Sequence, residues 1–154
     1  MGTLFHINDI VKFAIEKEEE SYELYSKLFQ ESKDTQLKAL FQKLASEEQK
    51  HKSFYEFLMT VVKSSSVGDA KEPEDFKNYM QELISSSRST PPVSTVNLSN
   101  MEAAIQYAIA REKDSILFYT GLKQYLPEKE RASVNEIIKE EAKHVAILSG
   151  MRLK

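Results

Sequence analysis

The chain contains no cysteine, and this absence removes several kinds of site at once. Without thiols it can form no disulfide, thiolate zinc site or iron–sulfur cluster, and it has no cysteine nucleophile. No apolar run approaches the roughly 20 residues needed to span a membrane, and residues 1–6 lack the basic-then-apolar layout of a secretory signal. We therefore expect a cytoplasmic protein with no membrane partner.

The chain also has no large excess of positive or negative charge. The formal net charge is -3, with 21 basic and 24 acidic residues. Binding to a nucleic-acid backbone needs a basic patch, so we expect no nucleic-acid partner. A chain of 154 residues with 41% hydrophobic composition is long enough to bury one core, and we expect a single domain over residues 1–154.

Glycine and proline are scarce, four of each, and they fall between long stretches of helix-forming residues. Two helical hairpins are predicted, over about 7–64 and about 99–150. The crossover of about 65–98 between them can run the length of a bundle, and it includes a short amphipathic helix over about 73–84. The sequence thus predicts an all-α fold, an antiparallel four-helix bundle built from two hairpins joined by one long crossover.

Two local signals refine the second half of the crossover. Residues 85–97 are rich in serine and proline and are predicted to form an extended surface connection. Ser99-x-x-Glu102 has the pattern of a capping box, which predicts Ser99 as the N-cap of the third long helix.

An internal repeat relates the two hairpins. Residues 14–18, Ala-Ile-Glu-Lys-Glu, align with residues 108–112, Ala-Ile-Ala-Arg-Glu, at an offset of 94. In the second helix of each hairpin, Glu-Glu-x-Lys-His occurs at 47–51 and again at 140–144, an offset of 93. One duplicated hairpin explains the layout of the chain.

The repeat contains the same short motif twice, Glu48-x-x-His51 and Glu141-x-x-His144. Residues three apart share one face of a helix, so each motif directs a carboxylate and an imidazole to one point. Two such motifs, together with one glutamate from each of two other helices, form the ligand set of a dinuclear carboxylate site in a four-helix bundle.

The apolar stripes identify the two remaining glutamates among the 19 in the chain. Each long helix has an apolar residue every three or four positions, as a bundle core requires. Glu18 interrupts the stripe of the first helix, Glu112 that of the third, and the two Glu-x-x-His motifs those of the second and fourth. Glu19 is the alternative if the register of the first helix is shifted by one residue.

Four buried carboxylates need positive charge nearby, because burial of an uncompensated ion costs several kcal/mol or forces protonation. Two divalent cations would supply it, with the two histidines as neutral ligands. Carboxylates and imidazoles in this ratio suit iron or manganese, whereas zinc usually takes fewer ligands. The alternatives are a buried salt-bridge network and a chance pairing of surface residues.

This set of residues, Glu18, Glu48, His51, Glu112, Glu141 and His144, resembles the metal site of the ferritin-like di-iron carboxylate superfamily. Two complete Glu-x-x-His motifs resemble its rubrerythrin and bacterioferritin branches in particular, and the resemblance covers the chain outside 65–98. It implies a ferritin-like bundle that holds two iron ions, with manganese or zinc also possible. Tyr25 and Tyr119, two turns from Glu18 and Glu112 on the same stripes, are either core residues or neighbours of the metal ligands.

The resemblance also implies a function. A rubrerythrin-like protein without a rubredoxin domain would be an oxidoreductase that reduces peroxide or dioxygen, and its electrons would come from a separate donor protein. Rubrerythrins carry a further glutamate where this chain has Ser115, and bacterioferritins have a haem-ligating methionine where this chain has Gln49, so no haem is expected. An iron-storage protein and a non-catalytic metal-binding bundle are the alternatives, and a homodimer is compatible with each.

Overall fold

The computed structural model describes residues 7–64, 74–88 and 91–152. Within these residues every regular element is helical, and none of the helices is both long and apolar enough to cross a membrane. The five α-helices are α1 (Ile7–Glu31), α2 (Thr35–Ser64), α3 (Glu74–Arg88), α4 (Met101–Leu122) and α5 (Glu128–Arg152), and short 3-10 turns occur at Val93–Thr95 and Lys123–Tyr125.

The four long helices form the expected antiparallel bundle. Short turns join α1 to α2 and α4 to α5, so the helices of each hairpin are antiparallel neighbours. The hairpins pack together through α1 with α4 and α2 with α5. The beginning of α1 packs with the end of α4, and the end of α2 with the beginning of α5, so these pairs are antiparallel too.

The core consists of two apolar clusters at opposite ends of the bundle. One cluster includes Ile10 of α1 and Leu122 of α4, and the other includes Leu28 of α1 and Ile105 of α4. Between the two clusters, each of the four helices contributes buried polar residues. The apolar stripes seen in the sequence are therefore the core-facing sides of the helices, and their polar interruptions form one layer across the middle of the bundle.

The crossover differs from its prediction in two respects, and one is the 3-10 turn at Val93–Thr95, in which Val93 is buried although the segment was predicted to be an extended surface connection. Helix α3 also continues through Arg88 instead of ending near Ile84, so Ser85, Ser86 and Ser87, which were predicted to be extended, are helical. Ser86 Oγ donates to Glu82 Oε2 one turn earlier at 2.7 Å, and Ser87 Oγ accepts from Lys17 Nζ of α1 at 3.1 Å. These contacts offset the weak helix preference of serine. Residues 65–73, which include the predicted helix start at 73, lie outside the described part of the chain.

The N-cap of α4 also differs from its prediction by one residue. Asn100 is the cap, and its Oδ1 accepts a hydrogen bond from the Ala103 backbone N–H at 3.1 Å. Ser99 is turned away from the helix because its hydroxyl donates to Asn97 Oδ1 at 2.5 Å. The prediction of Ser99 as the N-cap was wrong because asparagine caps a helix as well as serine does, and Asn100 directly precedes the first helical residue, Met101.

Candidate metal centre

The polar layer in the middle of the bundle is made by residues from all four long helices. The structure brings together the six residues singled out from the sequence, which are Glu18, Glu48, His51, Glu112, Glu141 and His144. Each of them is at most 4% exposed, although carboxylates are almost never fully buried unless they are paired. The position of each one follows from its helix, because it occupies a core-facing site at the same height as the others.

The six side chains form two overlapping groups of possible ligand atoms. Glu18 and His51 belong to the first group, Glu112 and His144 belong to the second, and Glu48 and Glu141 belong to both. Within each group, one ligand atom of every residue lies within 4.8 Å of the others. This arrangement suits two cations side by side, with the two shared glutamates between them.

Most of the carboxylate oxygens in this layer have no hydrogen-bond partner among the described residues. Both oxygens of Glu48 and both of Glu141 are buried and form no hydrogen bond with any residue that the structure describes, and the same is true of one oxygen of Glu18 and one of Glu112. Native proteins rarely leave buried polar atoms unpaired, since each such atom costs about 1–3 kcal/mol. Cations in contact with these oxygens would satisfy them, so the donor set fits a pair of metal ions.

The electrostatics point in the same direction. Burial, followed by the charge of Glu48, raises the pKa of Glu18 to about 8. Burial likewise raises the pKa of Glu48, Glu112 and Glu141 above the ordinary value. Four buried carboxylates this close together cannot all ionise unless positive charge lies among them.

The two histidines are held by glutamates that the sequence analysis did not select. His51 Nε2 lies 2.6 Å from Glu140 Oε2, and His144 Nε2 lies 2.5 Å from Glu47 Oε2. Each contact joins the histidine of one hairpin to a glutamate of the other. The signal was present in the sequence as the doubled glutamate that opens both Glu-Glu-x-Lys-His repeats.

These outer contacts determine how the imidazoles face the layer. The Nδ1 atom of His51 is 3.2 Å from Glu141 Oε1, and the Nδ1 atom of His144 is 2.8 Å from Glu112 Oε2. Burial alone would lower the pKa of both histidines, but the contacts with carboxylates outweigh it and raise the pKa of His51 to about 9 and that of His144 to about 10. In the metal-free protein, protonated imidazoles therefore provide part of the missing positive charge.

The two tyrosines singled out from the sequence are both buried but have different surroundings. The Tyr119 hydroxyl donates to Glu18 Oε1 at 2.7 Å, which places it directly beside a candidate ligand. The Tyr25 ring meets the His144 ring edge-on at 6.5 Å, and its hydroxyl has no hydrogen-bond partner within the described residues. Tyr55 of α2 is fully buried and packs against Tyr119 with ring centroids 4.9 Å apart.

Two other residues lie elsewhere than expected. Glu19, the alternative to Glu18, points outward and pairs with Lys52 Nζ at 2.5 Å, so it is not part of the polar layer. Arginine is mostly exposed in folded proteins, but Arg111 is only 5% exposed. Its guanidinium is buried because it contacts Glu20 Oε2 at 2.5 Å and lies over the Tyr107 ring.

Comparison with known proteins agrees with this geometry. A crystal structure from Thermotoga maritima, of a protein provisionally described as a ferritin-like diiron-carboxylate protein, superposes with a TM-score of 0.69. The alignment has 21% sequence identity and covers 100% of this chain and 99% of that one, so it supports the fold. No curated protein matches the chain. The family model named Rubrerythrin matches residues 9–151, and the chain therefore belongs to the rubrerythrin family.

Proposed function

We propose that this protein is a di-iron oxidoreductase that reduces peroxide or dioxygen. The observation that carries the proposal is the buried layer of four glutamates and two histidines, whose unsatisfied carboxylate oxygens form two overlapping ligand groups. Membership of the rubrerythrin family supports the same chemistry. Iron bound there would supply the electrons that reduce the oxidant.

In this proposal Glu18 and His51 would hold one ion, Glu112 and His144 would hold the other, and Glu48 and Glu141, which belong to both ligand groups, would be shared. The neutral form of each imidazole that suits this role carries its proton on Nε2 and leaves Nδ1 free to bind. Glu140 and Glu47 favour that form because each accepts a hydrogen bond from Nε2. The Tyr119 hydroxyl donates to Glu18 and so holds that carboxylate in place.

The electrons that restore the reduced state come, in this proposal, from a separate donor protein. The chain has no cysteine and so cannot contain a second iron–sulfur or rubredoxin-type centre of its own. A homodimer stays a prediction, which light scattering tests directly. The same measurement bears on storage, because a storage protein needs a closed shell of many subunits.

Stopped-flow spectroscopy tests the proposed reaction. The protein is loaded anaerobically with two equivalents of ferrous iron and mixed with hydrogen peroxide. We expect oxidation of the bound iron much faster than that of free ferrous iron, and restoration of the starting spectrum by a reductant. The Glu48→Gln variant, which removes one shared carboxylate charge, is expected to lose both the second equivalent of iron and the fast phase.

Two results would contradict the proposal. Oxidation no faster than that of free iron would exclude a peroxide- or dioxygen-reducing centre. Elemental analysis that finds zinc in protein purified without added metal, together with failure of iron to replace it, would favour a non-catalytic metal-binding bundle.

A further inference from the structure

The internal repeat places two basic residues in equivalent positions, and the two halves of the protein treat them differently. Lys17 of α1 corresponds to Arg111 of α4 at the offset of 94, and Glu20 corresponds in the same way to Asp114. Arg111 of α4 and Glu20 of α1 form an ion pair, with 2.5 Å between Nη2 and Oε2. We call it the closed pair because it joins the two helices directly.

On the other side the equivalent ion pair is open. Lys17 and Asp114 make no ion pair with each other, and both line a cavity of about 280 Å³ between α1, α3 and α4. Each has a shorter side chain than its counterpart in the closed pair, because lysine replaces arginine and aspartate replaces glutamate. The rest of the wall includes the serines at the end of α3 and the apolar side chains of Phe13, Leu83, Leu117 and Phe118.

Lys17 is the unusual member of this cavity because its amino group is buried and forms no ion pair with any described residue. It is only 3% exposed, and its Nζ donates a hydrogen bond to Ser87 Oγ at 3.1 Å and lies 5.3 Å from the centre of the Phe13 ring. No carboxylate among the described residues forms an ion pair with it. Buried cations are normally in direct contact with an anion, whereas the charges of Asp114, Glu20 and Glu18 act on Lys17 without forming an ion pair with it in the described part of the chain.

Asp114 is at the exposed rim of the same cavity and, within the described part of the chain, has no ion pair either. An anionic ligand alone would satisfy Lys17 but would meet the negative charge of Asp114. A ligand that satisfies every part of the wall carries a negative group for Lys17, a positive group for Asp114 and a compact apolar body between the phenylalanines and leucines.

We propose that this cavity binds a small apolar zwitterion of the amino-acid class, with its carboxylate on Lys17 and its ammonium group on Asp114. Pockets for drug-sized ligands have volumes of about 300–1,000 Å³. This cavity, at about 280 Å³, is slightly smaller, and so it suits a ligand of amino-acid size. None of the residues that line the cavity belongs to the six candidate metal ligands. The proposal therefore does not depend on the reaction proposed for the metal centre.

Calorimetric titration of the full chain with L-valine, L-leucine and L-phenylalanine tests the proposal. At least one of the three is expected to bind and to raise the melting temperature. For leucine, isocaproate and isoamylamine keep the branched side chain and each lack one charged group. Each analogue is expected to bind at least about tenfold more weakly, since a charged hydrogen-bond partner is lost.

Three variants locate the site, and Lys12→Met, which changes an exposed lysine of α1, is the control. Lys17→Met and Asp114→Asn are each expected to weaken amino-acid binding at least about tenfold. The double variant Lys17→Arg/Asp114→Glu copies the closed pair of the other half, so it keeps both charges but should lose the ligand. Circular dichroism melts confirm that each variant is folded.

The proposal would be overturned if none of the three amino acids bound, or if isocaproate bound as well as leucine. It would also be overturned if binding survived Lys17→Met in folded protein, because the ligand would then lie elsewhere. Loss of binding in the double variant with an unchanged metal content would separate this site from the metal centre.

Discussion

At the scale of single residues, the metal centre depends on two glutamates that would not themselves touch a cation. Glu47 and Glu140 each hold the outer nitrogen of a histidine, so they determine which nitrogen faces the carboxylate layer. Both are partly exposed, with 25% and 45% of the side chain accessible. They could be mistaken for ordinary solvated acids if each helix were considered alone.

We expect the double variant Glu47→Gln/Glu140→Gln to bind metal about 10–100-fold more weakly, the usual effect of losing a partner that orients a ligand. Glutamine keeps a hydrogen-bond acceptor but removes the negative charge. Weaker metal binding would therefore show that the charges of Glu47 and Glu140 strengthen the histidines as ligands. Competition with a chromogenic chelator measures the affinity. The matched control is Glu136→Gln on α5, an exposed glutamate that pairs with Lys139, and equal affinity of both variants would refute the role.

Lys17 is expected to destabilise the ligand-free fold. Burial, followed by the nearby charge of Arg111, lowers the pKa of Lys17 to about 8, because the folded protein disfavours its charged form. An apolar side chain of similar length avoids this cost, so Lys17→Met should raise the free energy of unfolding by about 1–2 kcal/mol near neutral pH. Urea unfolding without added amino acids measures the change, with Lys12→Met as the control variant. A Lys17→Met protein less stable than the natural chain would contradict the prediction.

At the scale of helices, α3 is fixed to the bundle by close contact between Met80 and α4. Met80 is fully buried, and a β-carbon added at Gly121 would overlap its sulfur atom. Glycine inside a helix usually costs about 1 kcal/mol relative to alanine, so its presence here has a packing reason. The Met80 side chain of α3 occupies the space that Gly121 leaves open.

We therefore expect the effect of Gly121→Ala to depend on residue 80. In the natural chain the overlap should cost about 1–3 kcal/mol, which outweighs or cancels the gain in helix propensity. With Met80→Ala in place, the same change should be stabilising because the overlap is gone. Thermal unfolding of the four proteins gives the coupling energy, and an equal effect of Gly121→Ala in both backgrounds would show that α3 does not pack there.

The helices also show how far the sequence alone could predict the site. The periodic stripes predicted the four long helices, their buried faces and the height of the carboxylate layer, since these are local properties of one helix each. The contacts of Glu47 and Glu140 could not be predicted in the same way, because they depend on how one hairpin is rotated against the other. The burial of Arg111 was missed for the same reason, as its partner Glu20 is on another helix.

At the scale of the whole molecule, the polar layer makes the stability of the metal-free protein depend on pH. The pKa of Glu18 rises from 4.5 to about 8 on folding, and that of His51 from 6.5 to about 9. Between these unfolded and folded pKa values, Glu18 and His51 of the metal-free protein bind more protons in the folded state than in the unfolded state. The free energy of unfolding therefore falls as pH rises. Bound metal requires deprotonated ligands and should oppose this trend.

We expect the urea midpoint of the metal-free protein to be lower at about pH 8.5 than at about pH 6. The metal-loaded protein should lose this dependence or reverse it. The Glu18→Gln variant is neutral at both values and should show a smaller difference when metal-free, which makes it the control. A metal-free midpoint that rose with pH would mean that the carboxylates ionise freely in the folded state.

The crossed contacts between histidine and glutamate have a consequence for how such a protein can arise. Each hairpin lends a glutamate to the histidine of the other, and the exchange is reciprocal, which is the relation that a two-fold axis produces. Two separate copies of one hairpin, related by that axis, would form the same layer of ligands without the crossover. The chain can thus be understood as a dimer whose halves became joined. Within a single chain the two halves are free to differ, and they do so at the Arg111–Glu20 ion pair and at Lys17 and Asp114, which form no ion pair in the part of the chain that the structure describes.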